Sequence, residues 1–98
     1  MATPVVYIIY SEKWDKFYIG KSENYPQRIV FHNADENENW TKAGRPWNDF
    51  LVISCLSFKQ AGKIERYIKA QKSRKYIQSL KEKPEYIQNL LRRFAHDC

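Results

Sequence analysis

A chain of 98 residues with 43% apolar and 15% aromatic content can bury one hydrophobic core but not two, and its composition excludes a disordered or fibrous protein. No apolar run approaches the roughly 18–20 residues that span a bilayer, and Met1-Ala2-Thr3-Pro4 lacks the basic and apolar stretches of an export signal, so a cytoplasmic, membrane-free setting is expected. The formal charge of +6 is unevenly placed: residues 1–56 hold six Lys/Arg against seven Asp/Glu, and residues 57–98 hold eleven against four. That asymmetry points to a polyanionic partner, nucleic acid before an acidic membrane surface, while a solubilising Lys-rich helix surface fits the charge alone equally well.

Val5-Val6-Tyr7-Ile8-Ile9-Tyr10 is β-branched and aromatic throughout, short, and bounded by Pro4 and Ser11, which predicts a buried strand. After a polar turn from Ser11 to Lys16, Phe17-Tyr18-Ile19-Gly20-Lys21 predicts a second strand paired with the first as a hairpin. Asn24 can cap a short helix with Pro26 in its first turn, ending near Asn33. Ala34 to Asn48 mixes acidic residues with Gly44, Pro46 and two Trp and is expected to be a long functional loop. Phe50 to Leu56 predicts a third strand, apolar enough to sit centrally in the sheet.

Ser57-Phe58-Lys59-Gln60 has the capping-box pattern, so a helix should start there, with Phe58, Ala61, Ile64 and Ile68 as its buried stripe. Ser73 should interrupt it; Tyr76, Ile77 and Leu80 suggest another short helix. Pro84 can open a last helix lined by Ile87, Leu90, Leu91 and Phe94. The expected fold is therefore α+β: a small three-stranded, mostly antiparallel sheet flanked by helices, with an extra C-terminal helix. Residues 1–82 form the main unit in this reading and residues 83–98 a helical extension packed on it. Cys55 and Cys98 show neither a CxxC spacing nor a disulfide framework and are expected to be thiols in a reducing compartment.

Several residues could carry chemistry. Tyr7 and Tyr18 sit on neighbouring strands, where a hairpin can hold two phenols together; core packing explains them too. A phenol beside a metal-activated water can relay a proton if cations such as Lys21 and Arg28 lower its pKa of about 10. Arg28 and His32, four apart on a helix, project from one face, where the first can grip a phosphate and the second can take a proton or bind phosphate. Glu65 lies at the edge of its helix's buried stripe, where a carboxylate is costly without compensation. One Mg²⁺ or Mn²⁺ ion would supply it, and so, more weakly, would an ion pair with Lys69. Gly20 allows either a close approach or a positive φ. Trp40, Lys42, Arg45 and Trp47 interleave aromatic and basic residues as a base-stacking, phosphate-holding loop would, although at least one Trp is expected to anchor that loop on the core. Lys72, Arg74 and Lys75 form a candidate phosphate-contacting edge.

Val5-Val6-Tyr7 followed, after ten residues, by Tyr18-Ile19-Gly20 resembles the paired strand motifs of the GIY-YIG nuclease superfamily. Gly20-Lys21-Ser22-Glu23-Asn24, then Arg28 and His32, is similar to the loop and arginine helix that follow in that family, and Glu65 falls where its metal-binding glutamate does. The likeness runs from about Val5 to Tyr76, closest in character to compact single-domain members related to the N-terminal nuclease domain of the bacterial ABC excinuclease. The resemblance implies a divalent-metal-dependent endonuclease acting on DNA rather than RNA, in repair or recombination. In it Tyr7, Tyr18, Arg28 and His32 are catalytic, Glu65 holds one Mg²⁺ or Mn²⁺, and Lys21 joins the nucleic-acid contacts. An inactive nucleic-acid-binding module of the same fold is the alternative. Val5 stands in place of the family's first glycine, and Ile77 occupies the register of an asparagine common among its nucleases.

Overall fold

The computed structural model describes residues 3–34 and 40–95. Among them, three strands form one antiparallel sheet in the order β2-β1-β3. β1 (Val5–Ser11) pairs with β2 (Lys16–Ser22) on one side and β3 (Trp47–Ser54) on the other. β1 is central because its side chains are buried on both faces. β3, expected in the centre, lies at the edge, with Asn48, Asp49, Val52 and Ser54 exposed. Its span is also shifted: it starts at Trp47 and leaves Cys55 and Leu56 outside the strand. The pairing slips between Ile8 and Ile9, so that Ile8 faces Leu51 and Ile9 faces Asp49. A bulge of this kind accommodates one extra residue, here Phe50.

Strand alternation divides the functions of the two faces. Val6, Ile8, Ile19 and Ile53 meet Ala61, Ile64 and Ile68 of α2 (Phe58–Gln71), together with Ile77 and Leu80 of α3 (Arg74–Glu82) and Leu90 of α4 (Pro84–Arg93), in one core. Tyr7, Ile9, Tyr18 and Gly20 belong to the opposite face, next to α1 (Tyr25–Asn33) and a short 3-10 helix, Trp40–Gly44.

The helix starts follow local chemistry. Asn24, Ser57 and Ser73 each accept a hydrogen bond from the backbone N–H three residues on, at Gln27, Gln60 and Tyr76. Gln60 does not close the capping box. Its Oε1 instead accepts from Leu56 N at 2.7 Å, and its Nε2 donates to Leu91 O at 3.0 Å, which ties the start of α2 to α4. Phe58, expected in the buried stripe, is 39% exposed, since it precedes the turn that reaches the sheet and meets Lys21, whose Nζ lies 4.6 Å from its ring. Cys55 is buried, with Sγ 3.5 Å from Ile53 O; Cys98 lies outside the described residues. No described helix is long and apolar enough to cross a membrane.

Candidate active site

The β1–β2 register sets Tyr7 opposite Gly20 and Ile9 opposite Tyr18, so both phenols rise from the same face. Gly20 serves close approach rather than an unusual backbone angle, since none of the described glycines has positive φ. A Cβ at Gly20 would stand 2.4 Å from the Tyr7 hydroxyl oxygen, so the absence of that carbon lets the phenol lie across the edge strand. The Tyr7 and Tyr18 ring centroids are 6.2 Å apart.

α1 closes the pocket from above. Its Asn24 cap and Pro26 fix where the helix starts, and the i,i+4 spacing then brings Arg28 and His32 to the same phenol. The Tyr7 hydroxyl is 3.0 Å from His32 Nε2, and His32 Nδ1 is 3.0 Å from Thr41 Oγ1 in the 3-10 helix. Burial pushes the Tyr7 phenol up to about 12, against the pull of a hydrogen bond from Arg28, and the Tyr18 and Glu65 charges push the same way. Burial and the nearby Arg28 cation push His32 down to about 4. At neutral pH the pair is therefore a protonated phenol beside a neutral imidazole. Cations were expected to lower the phenol; desolvation outweighs them instead, because Tyr7 is 1% exposed. A phenol that keeps its proton can donate to His32 Nε2, and Nδ1–H then donates to Thr41.

Glu65 stands in the other layer and acts on the Tyr7 phenol through its charge. α2 covers the opposite face but packs mostly along β2, the strand over which Tyr7 leans, and the Glu65 carboxylate is near enough to disfavour the Tyr7 phenolate. Its side chain is only 14% exposed and its Oε2 lies 3.2 Å from Lys69 Nζ, so the ion pair expected as the plainer explanation forms. Among the described residues no group of three His, Cys, Asp or Glu could enclose a metal. One poorly exposed carboxylate suits Mg²⁺ or Mn²⁺, which complete their shells with water and substrate phosphate, and does not suit a closed zinc site.

Lys21 does not join the phenols. It pairs with Val6 on the α2 side of the sheet and packs on Phe58 and beside Gly62, where an added Cβ would meet its Nζ at 3.0 Å. Trp40, 57% exposed, stacks on Trp14 and lies 5.6 Å from Tyr18. Trp47 is the loop anchor: it is buried, and its Nε1 donates to Thr41 O at 2.7 Å. Lys42 and Arg45 line a cleft of about 590 Å³ with Lys13, Asn33 and Trp40. Arg45 Nε also donates to Lys42 O at 2.9 Å. At the far end of α2, Lys72 caps the helix with φ 47°, while Lys75 is exposed. Arg74 is engaged elsewhere, paired with Asp15 and lying over Tyr10 and Phe17. Ile77 is 8% exposed within the core, so no polar atom enters the site from the asparagine register.

Some neighbours of the site had no sequence signal. Tyr25 lies 5.2 Å from Tyr7 and donates to Asp49, and burial followed by that carboxylate raises its pKa. Asp49 reaches this face because of the bulge. Thr41 meets His32 through a loop whose path sequence does not specify. Asn33 pins the loop's far end, accepting from Trp47 N at 2.6 Å and donating to Trp47 O at 3.1 Å.

An α+β domain that aims a guanidinium and an imidazole at one buried phenol, with a carboxylate whose charge acts on it, has the parts needed to grip a phosphate ester. A family model for the GIY-YIG catalytic domain matches residues 3–78, and the chain belongs to the GIY-YIG nuclease superfamily. Nuclease chemistry on nucleic acid is thus its class. No curated protein and no solved structure matches the chain.

Proposed function

We propose that the protein is a divalent-metal-dependent endonuclease that hydrolyses phosphodiester bonds in DNA, in a repair or recombination setting. The observation that carries this reading is the convergence of Arg28 and His32 on the Tyr7 hydroxyl, with the Glu65 field at the same atom. Arg28 binds a non-bridging phosphate oxygen and offsets charge that builds up in the transition state. Tyr7, held by His32, orients the attacking water; His32 is neutral and can accept the proton that Tyr7 passes on. Tyr18 forms the floor beside His32, their ring centroids 4.8 Å apart. Glu65 would hold one Mg²⁺ or Mn²⁺ ion, which supplies Lewis-acid polarisation of the scissile phosphate. Lys42, Arg45, Lys72 and Lys75 would contact flanking phosphates. Residues 83–98 act as a helical cap on a nuclease unit spanning residues 1–82.

A second reading, a binding module without turnover, is supported by Ile77 in the core where the family's nucleases commonly place an asparagine. Single-turnover cleavage of plasmid, flapped and single-stranded DNA with Mg²⁺ or Mn²⁺ separates the two. Nicking lost in Glu65→Gln and with EDTA supports the nuclease; salt-sensitive binding without nicking supports the module.

A further inference from the structure

We propose that Trp40 is a preset stacking platform for one unpaired nucleobase next to the scissile phosphate, so that the site takes nucleic acid in which a base is free of the duplex. This deepens the nuclease reading and rests on it for the position of the phosphate, though not for the platform itself.

A large aromatic ring 57% exposed needs a reason, because its neighbour Trp47, 2% exposed, already anchors the loop. Trp40 does not dangle. Trp14 stacks on it with centroids 5.7 Å apart and planes 11° from parallel. Trp47 and Tyr18 meet it edgewise or tilted, at 6.2 and 5.6 Å. Three aromatic contacts thus hold the ring's orientation before any ligand arrives, while its outer surface stays open. A stacking partner then loses little more freedom on binding than its own.

The surroundings select the partner. Lys13, Lys42 and Arg45 line the cleft that Trp40 borders. Positive charge beside an exposed ring suits a base with its phosphate, the combination used by single-strand binding surfaces. Tyr18 touches both systems, 5.6 Å from Trp40 and 4.8 Å from His32, so the platform is one side chain from the phosphate pocket. A base stacked in intact duplex has both faces covered and cannot use Trp40 unless it is extruded. Single strands, flaps and bulges present such a base at a lower unstacking cost than intact duplex.

The test uses the full chain and 2-aminopurine-labelled DNA oligonucleotides of one sequence, as single strand, as duplex with a single-nucleotide bulge, and as perfect duplex. Binding is followed by anisotropy and by quenching of 2-aminopurine, in Ca²⁺ to slow turnover. The expected result is preferential binding of the single strand and the bulge, with quenching. Trp40→Ala should weaken binding of these two about tenfold and relieve the quenching, and Trp40→Phe should restore most of both. Circular dichroism and thermal melting establish that each variant is folded. Equal weakening across all three substrates, or quenching unchanged in Trp40→Ala, would overturn the platform. Discrimination and quenching in Ca²⁺, with no cleavage of the same substrates once Mg²⁺ or Mn²⁺ replaces it, would reject the nuclease reading and leave the platform standing.

Discussion

His32 makes the site acid-sensitive by an amount that can be worked out. Its imidazole is fully buried and pushed from 6.5 to about 4, so between those values the unfolded chain binds a proton that the folded chain refuses. Stability is then complete above about pH 6.5 and falls as pH drops toward 4, because a depressed histidine opposes folding once the unfolded form protonates. At roughly 1.4 kcal/mol per pH unit, the shift from 6.5 to about 4 costs about 3 kcal/mol at pH 4, a large share of the stability of a small domain. Urea unfolding of wild type and His32→Gln at pH 7.5 and pH 4 measures it, since glutamine can still bond both Tyr7 and Thr41 but does not titrate. Wild type should lose about 3 kcal/mol more than the variant over that interval. Parallel losses would refute the reasoning, because they would mean that the histidine is not buried neutral.

Gly20→Ala should displace the Tyr7 phenol, with a stability cost of about 1–3 kcal/mol and cleavage no better than in Tyr7→Phe; wild-type cleavage in Gly20→Ala would contradict the close approach. Spectrophotometric titration at alkaline pH should find late phenols, Tyr25 among them, and the one ionising near 12 should be absent in Tyr7→Phe, with stability falling as pH rises from 10 toward that value because the folded state holds its proton longer. Lys42→Ala should lower the steepness of the log–log salt dependence of single-strand binding by about 0.7, the change expected for one lost phosphate contact. Arg74→Ala should change that slope much less, since Arg74 already engages Asp15.

What sequence could show of this site was whatever depended on short separations. Ten residues between the tyrosine motifs leave only a hairpin, and a spacing of four from Arg28 to His32 leaves only one helix face, so these side chains were placed correctly relative to one another. The Asn24 and Ser57 caps were legible for the same reason, each bond closing within three residues, whereas Ser73, expected only to interrupt α2, also caps α3. Lys21 shows a signal that could have been used: period-two alternation from Tyr18 and Gly20 puts it on the far face. The position of β3 was illegible because apolar content alone does not distinguish a central strand from an edge strand whose residues pack on one side. Asp49 joined the site only through a bulge, and the Trp14–Trp40 stack joins segments that no periodicity relates. The direction of the Tyr7 shift could not be read either, since it depends on how much water the finished fold removes from the phenol.

The most direct test of a shared phosphate pocket is crystallographic: crystals grown with Mn²⁺ and a cleavage-resistant phosphorothioate single strand, with anomalous scattering used to locate the ion. The expected map has the manganese peak against the Glu65 carboxylate and a backbone phosphate between Arg28 and the Tyr7 hydroxyl. Manganese bound away from Glu65, or a strand that crosses the protein without a phosphate at Arg28, would contradict it.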